Sequence, residues 1–116
     1  KQGIEMSLRK QQSKFVIMVA RLIDFANEHG YELTMGDAFR DPRSHGKQGK
    51  RKAYGRACSA HKQRLAIDFN LFKNGKFLQE TKDHEPLGLF WESIGGAWGG
   101  RFNDGNHYSL EMYGIK

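Results

Sequence analysis

Between Leu65 and Phe72 the larger apolar residues occupy every second position, so Leu65, Ile67, Phe69 and Leu71 fall on one face and Ala66, Asp68 and Asn70 on the other. Shortly after comes Asn74-Gly75, the dipeptide best suited to the left-handed backbone of a two-residue hairpin turn, and Lys76 to Gln79 then reads as the returning strand. Strand, turn and strand leave little freedom. This part of the chain is expected to be an antiparallel hairpin with one face on a core and Asp68 on the other face.

The rest of the chain divides around that hairpin. Apolar residues recur at helical steps from Ser13 to His29 (Phe15, Val16, Val19, Leu22, Ile23, Phe25, Ala26), with Ser13 as the expected N-cap and Gly30 as the stop. Tyr31 to Gly36 reads as a short half-buried strand that delivers Asp37 to Arg40 to one end of a sheet. From Asp41 to Cys58 glycines and cations leave almost nothing to bury, which predicts a long basic loop. A second helix is expected over Pro86 to Ile94, with Pro86 in its first turn, ending in the glycine pairs that flank Trp98. Asn106 to Met112 reads as the last strand, with Tyr108, Leu110 and Met112 on one face and His107, Ser109 and Glu111 on the other. Helices and strands in separate runs indicate an α+β fold, a small antiparallel sheet with two main helices. We expect a single domain over residues 1–116.

Composition narrows the function classes. With 38% hydrophobic, 28% charged and 12% aromatic residues the chain is too apolar for a disordered tail, and its longest apolar run, Phe15 to Ala20, is far too short to span a bilayer. No membrane partner is expected. The lone Cys58 excludes an intrachain disulfide, and no charged-then-apolar leader opens the sequence, so no export signal is expected. Against 13 acidic residues stand 19 Lys and Arg, a net charge of +6, which points to an anionic partner such as nucleic acid, anionic lipid or cell-wall polymer. A chain of this length needs no structural metal, so any metal it binds should be functional.

His61, Asp68 and His107 lie on polar faces of predicted strands or at their ends. His61 and Asp68 are seven residues apart and can converge only if the chain turns between them, which polar His61-Lys-Gln-Arg64 allows. Two imidazoles and a carboxylate leave a fourth tetrahedral position open, the arrangement of a catalytic zinc site. Asp104, three residues before His107 in the turn Asn103-Asp-Gly-Asn106, is suited to take a proton from the water without binding metal. Each of these residues also has an ordinary reading, as a turn former or a solvated histidine.

The segment Ser59-Ala-His61-Lys-Gln-Arg-Leu-Ala66-Ile-Asp68 resembles the S-x-H-x-x-G-x-A-x-D motif of peptidase family M15, the zinc D,D-carboxypeptidases and L-alanyl-D-glutamate endopeptidases that include phage endolysins. Asp104-Gly-Asn-His107 is similar to the family's second element, and the order of helix, Arg40 after a strand, His/Asp motif, Trp-Gly-Gly segment and final His also agrees. The resemblance implies the family's zinc D-Ala-D-Ala carboxypeptidase-like fold, zinc on His61, Asp68 and His107, Asp104 as general base, and Arg40 on a substrate carboxylate or the developing oxyanion. Two departures stand out: Arg64 replaces the motif's glycine, so a turn needing positive φ would have to differ, and Tyr-Ser-Leu-Glu follows the last His, leaving Glu111 without an assigned role.

Other residues have competing readings. Ser59 either orients a ligand or caps a turn. Trp98 is expected to line a substrate groove and Trp91 to be core. His45 and His84 read as solvated loop histidines before they read as ligands, His29 as a partner of the helix dipole, and Cys58 as a small buried residue rather than a nucleophile.

The first functional reading is therefore a monomeric zinc endolysin that cleaves cell-wall peptide at the L-alanyl-D-glutamate bond, held in the host cytoplasm until the membrane opens, with the cations from Lys47 to Arg56 attaching it to anionic wall. A D-alanyl-D-alanine carboxypeptidase is the alternative within the family. From another class, a basic nucleic-acid-binding protein or metal-dependent nuclease would use the same cations on phosphates, but Tyr54 alone offers a stacking aromatic among them.

Overall fold

The structure, a computed structural model, describes residues 7–36 and 64–110. Arg40, the basic loop with His45 and Cys58, Ser59, His61, Glu111 and Met112 lie outside the described residues.

Helix α1 runs Leu8–Glu28, and its cap is Ser7, whose Oγ accepts the Lys10 N–H at 3.2 Å. Ser13 is thus not the N-cap: Leu8 to Gln12 are good helix formers without Gly or Pro, so the helix extends past it toward the N-terminus. The buried stripe is Phe15, Met18, Leu22 and Ala26, at steps of three and four, while Val16 and Ile23 fall beside it and are exposed. His29 caps the helix end through Nδ1, 2.8 Å from the Phe25 carbonyl, and Gly30 leaves it at φ +82°.

The sheet is built on β2 (Ala66–Lys73). Its second half pairs with β1 (Tyr31–Met35) on one edge and β3 (Lys76–Leu78) on the other, while its first half pairs with β5 (His107–Ser109). The short β4 (Ala97–Trp98) adds to β5, and every pairing is antiparallel. Asn74 and Gly75 both have positive φ (54° and 77°) and Lys73 faces Lys76, as a two-residue hairpin requires. The alternation of β2 fades at its start: from Ala66 to Phe69, where β5 pairs with it, residues of both faces are buried.

A 3₁₀ turn (Thr81–His84) leads into α2 (Glu85–Ser93), which ends where Gly95 takes φ +106°. α1 and α2 enclose Leu22, Leu87 and Trp91 against the sheet, with Phe15 edge-on to Trp91 at 5.8 Å and Trp91 edge-on to Tyr108 at 5.9 Å. The Trp91 indole N–H donates to the Ser109 carbonyl at 2.8 Å, so the helix is bonded as well as packed to β5.

Trp98 does not line a groove. It is 6% exposed in the same core, donates its indole N–H to the Gly105 carbonyl at 2.8 Å, and lies against Gly88 and Gly100, where any side chain would collide with its ring. The neighbouring glycines make room for an indole in the core rather than opening a surface around it. No helix among the described residues is long and apolar enough to cross a membrane.

Candidate metal centre

Asp68 and His107 are register partners on β2 and β5. Opposed residues of antiparallel strands send their side chains to one face, and here Asp68 Oδ1 and His107 Nδ1 are 3.1 Å apart with each side chain 4% exposed. The two atoms are within hydrogen-bonding distance, which offsets part of the penalty that burial alone would place on a carboxylate; with Nδ1 unprotonated, both atoms can present lone pairs to one ion. The main chain holds Asp68 in place, since its carbonyl accepts the Gly36 N–H at 2.8 Å and the next residue, Phe69, donates to the Asn106 carbonyl at 2.9 Å.

His107 is fixed from the other side by its own turn. Its N–H donates to the Asp104 carbonyl at 3.1 Å, and the Asp104 N–H donates to the Gly99 carbonyl at 2.9 Å. Gly99 opens a second 3₁₀ turn (Gly99–Phe102), which Arg101 ties to α2 by gripping both carboxylate oxygens of Glu92 at 2.6 and 2.8 Å. Asp104 is half-buried and lines a cavity of about 240 Å³ together with Asn70, Thr81, His84 and Asn106.

These residues fit a divalent ion by their chemistry and spacing. A carboxylate oxygen and an imidazole nitrogen are both zinc donors, and two donors at ~2.0 Å in a tetrahedral shell stand roughly 3.3 Å apart, close to the 3.1 Å seen between Asp68 and His107. Among the described residues no third His, Cys, Asp or Glu joins them in one cluster. His61, the third ligand expected from the sequence, lies outside the described residues, as do Ser59 and Arg40.

A family model described as D-alanyl-D-alanine carboxypeptidase, of the M15 peptidases, matches residues 53–110, half of the 116-residue chain. The chain belongs to the M15 peptidase family. No curated protein matches it. M15 peptidases are generally zinc-dependent, in keeping with the donor pair found here. The matched segment of this M15 chain contains Ser59, His61, Asp68, Asp104 and His107, whereas Arg40 precedes it. Where the M15 motif has glycine, Arg64 takes φ +61°, so the turn keeps its left-handed residue and an arginine carries the strain.

Sequence reasoning also misplaced His84. It is 2% exposed, not solvated, and its Nδ1 lies 2.8 Å from the Tyr108 hydroxyl. Burial lowers its pKa from 6.5 to about 4, against the opposing pull of the Asp83 and Asp68 carboxylates, so the ring is neutral at pH 7. Burial also pushes the Tyr108 phenol well above its usual range. The signal for this pair was present: the alternation of the last strand turned Tyr108 inward, and a buried hydroxyl needs a partner.

Proposed function

We propose that this M15 peptidase is a zinc-dependent endopeptidase of the bacterial cell wall that hydrolyses the L-alanyl-D-glutamate bond of peptidoglycan, in the manner of a phage endolysin acting once the membrane has been opened. The observation that carries the reading is the buried Asp68–His107 pair, with Asp104 three residues before His107 in the turn that fixes it.

Asp68 and His107, with His61, would hold the ion. When bound, zinc supplies Lewis acidity, lowering the pKa of water to about 7 and polarising a carbonyl. Asp104 would accept the proton of the attacking water and return it to the leaving amine, the task of a carboxylate that lines a cavity open to substrate. Arg40 would face the negative charge that develops on the scissile carbonyl oxygen.

Mass analysis of fragments released from purified peptidoglycan tests the reading. Stem peptides that begin at D-glutamate are the expected product. Release of terminal D-alanine alone would make the chain a carboxypeptidase, and inert peptidoglycan together with steeply salt-dependent DNA binding would transfer it to the nucleic-acid class.

A further inference from the structure

The cavity beside Asp104 has a mixed lining. Phe69, Phe77 and Leu78 form an apolar wall, Asn70, Gln79 and Asn106 offer neutral amides, and Asp104 is the one charged residue among the described lining residues. At about 240 Å³ it is smaller than the roughly 300–1,000 Å³ pockets that take drug-sized ligands. It suits a single residue of a peptide.

His84 also lines this cavity, and its ring is held in one orientation. Tyr108 is fully buried and sits 2.8 Å from His84 Nδ1. A phenol is a better donor than acceptor, and a neutral imidazole has one nitrogen free to accept, so the hydroxyl proton is donated to Nδ1 and the ring proton is placed on Nε2. The bond to Tyr108 is the one hydrogen bond of the His84 side chain among the described residues, and its Nε2 is not among the atoms buried without a partner, as expected of an atom open to the cavity. The result is a fixed, uncharged N–H donor on the wall of the cavity that holds the proposed base.

We propose that His84 is a substrate-contacting residue, donating its Nε2–H to an oxygen of the peptide unit seated beside Asp104, with Tyr108 as the residue that positions it. The acceptor is either the carbonyl of an internal peptide bond or a terminal carboxylate, which present the same oxygen to the donor. The inference rests on the proposed function, since it takes Asp104 to act at the scissile bond.

The test uses the zinc-loaded protein and a soluble peptidoglycan stem peptide. In wild type, long-range proton–nitrogen NMR should find the His84 proton on Nε2, and saturating peptide should shift that resonance. A shift that survives amidation of the peptide's C-terminus assigns the acceptor as an internal carbonyl, and one that amidation removes assigns it as the terminal carboxylate. The double variant His84→Phe/Tyr108→Phe removes both polar partners together, which leaves no buried hydroxyl unsatisfied, and should keep its fold and zinc content while kcat/KM falls by about three- to tenfold through KM. An unmoved His84 resonance at saturation, or a folded double variant with unchanged kcat/KM, would overturn the role of His84 alone. A wild-type protein that neither binds nor cleaves the stem peptide would overturn the proposed function, and this inference with it.

Discussion

Gly99 lies directly against His107: a methyl group on Gly99 would stand 2.8 Å from the His107 Cβ and overlap the carbonyl oxygen of Asp104. The turn that presents Asp104 and His107 closes only because that side chain is missing. Gly99→Ala should therefore displace the turn, lowering stability by roughly 1–3 kcal/mol, as overpacking generally does, and loosening the hold on metal. Denaturant midpoints and metal content of the purified variant check this. Unchanged values in both would mean that the turn has room to move.

Asp104 and Asp68 should separate by the kind of loss each causes. Asp104→Asn keeps shape but cannot accept a proton, so zinc should stay bound while turnover falls ~10²–10⁴-fold, the usual worth of general acid–base catalysis. Asp68→Asn should lose the metal itself, because a neutral amide is a poor substitute for an anionic ligand. Metal analysis beside kinetics reads the difference. Equal zinc loss from both variants would make Asp104 a ligand.

Arg64 at φ +61° occupies a conformation that costs a side-chain-bearing residue about 1–2 kcal/mol. Arg64→Gly should stabilise the protein by up to about 1 kcal/mol, part of the strain relief being offset by the greater freedom of glycine in the unfolded chain. Urea unfolding would show a higher midpoint at an unchanged slope.

Much of this was readable in the sequence, for identifiable reasons. The hairpin followed from alternation and Asn74-Gly75 because both signals are local. The facing of Asp68 and His107 follows from the parity of their strands, but their register depends on β5 pairing with the first half of β2, which no local pattern states. The start of α1 was misjudged because Ser7 and Ser13 are equally good caps in isolation, and only the continuing run of helix formers decides between them. Trp98 was misread because glycines flank both surface loops and close-packed indoles. His84 was read as a loop histidine because its burial comes from Tyr108, 24 residues away, across a contact that sequence spacing does not reveal.

His84 should leave a signature in the pH dependence of stability. Its pKa is about 4 in the folded protein against 6.5 for the unreacted group, so between those values the unfolded chain binds the proton and the folded chain does not. The contribution is complete above about pH 6.5 and is lost as pH falls toward 4, amounting to up to about 3 kcal/mol. His84→Gln should flatten that part of the stability profile. A variant that loses stability between pH 6.5 and 4 as steeply as wild type would show that His84 is not the group responsible.

The Asp68–His107 contact joins positions 39 residues apart, and this sets the order in which the protein can acquire its chemistry. The β2–β3 hairpin closes on a two-residue turn and forms early, whereas β5 must cross the long connection through α2 before it can add to β2, at a much larger cost in loop-closure entropy. During synthesis Asp68 emerges well before its partner. A nascent chain thus carries the hairpin before the two proposed donors can meet, and they come together in one late step, when β5 docks.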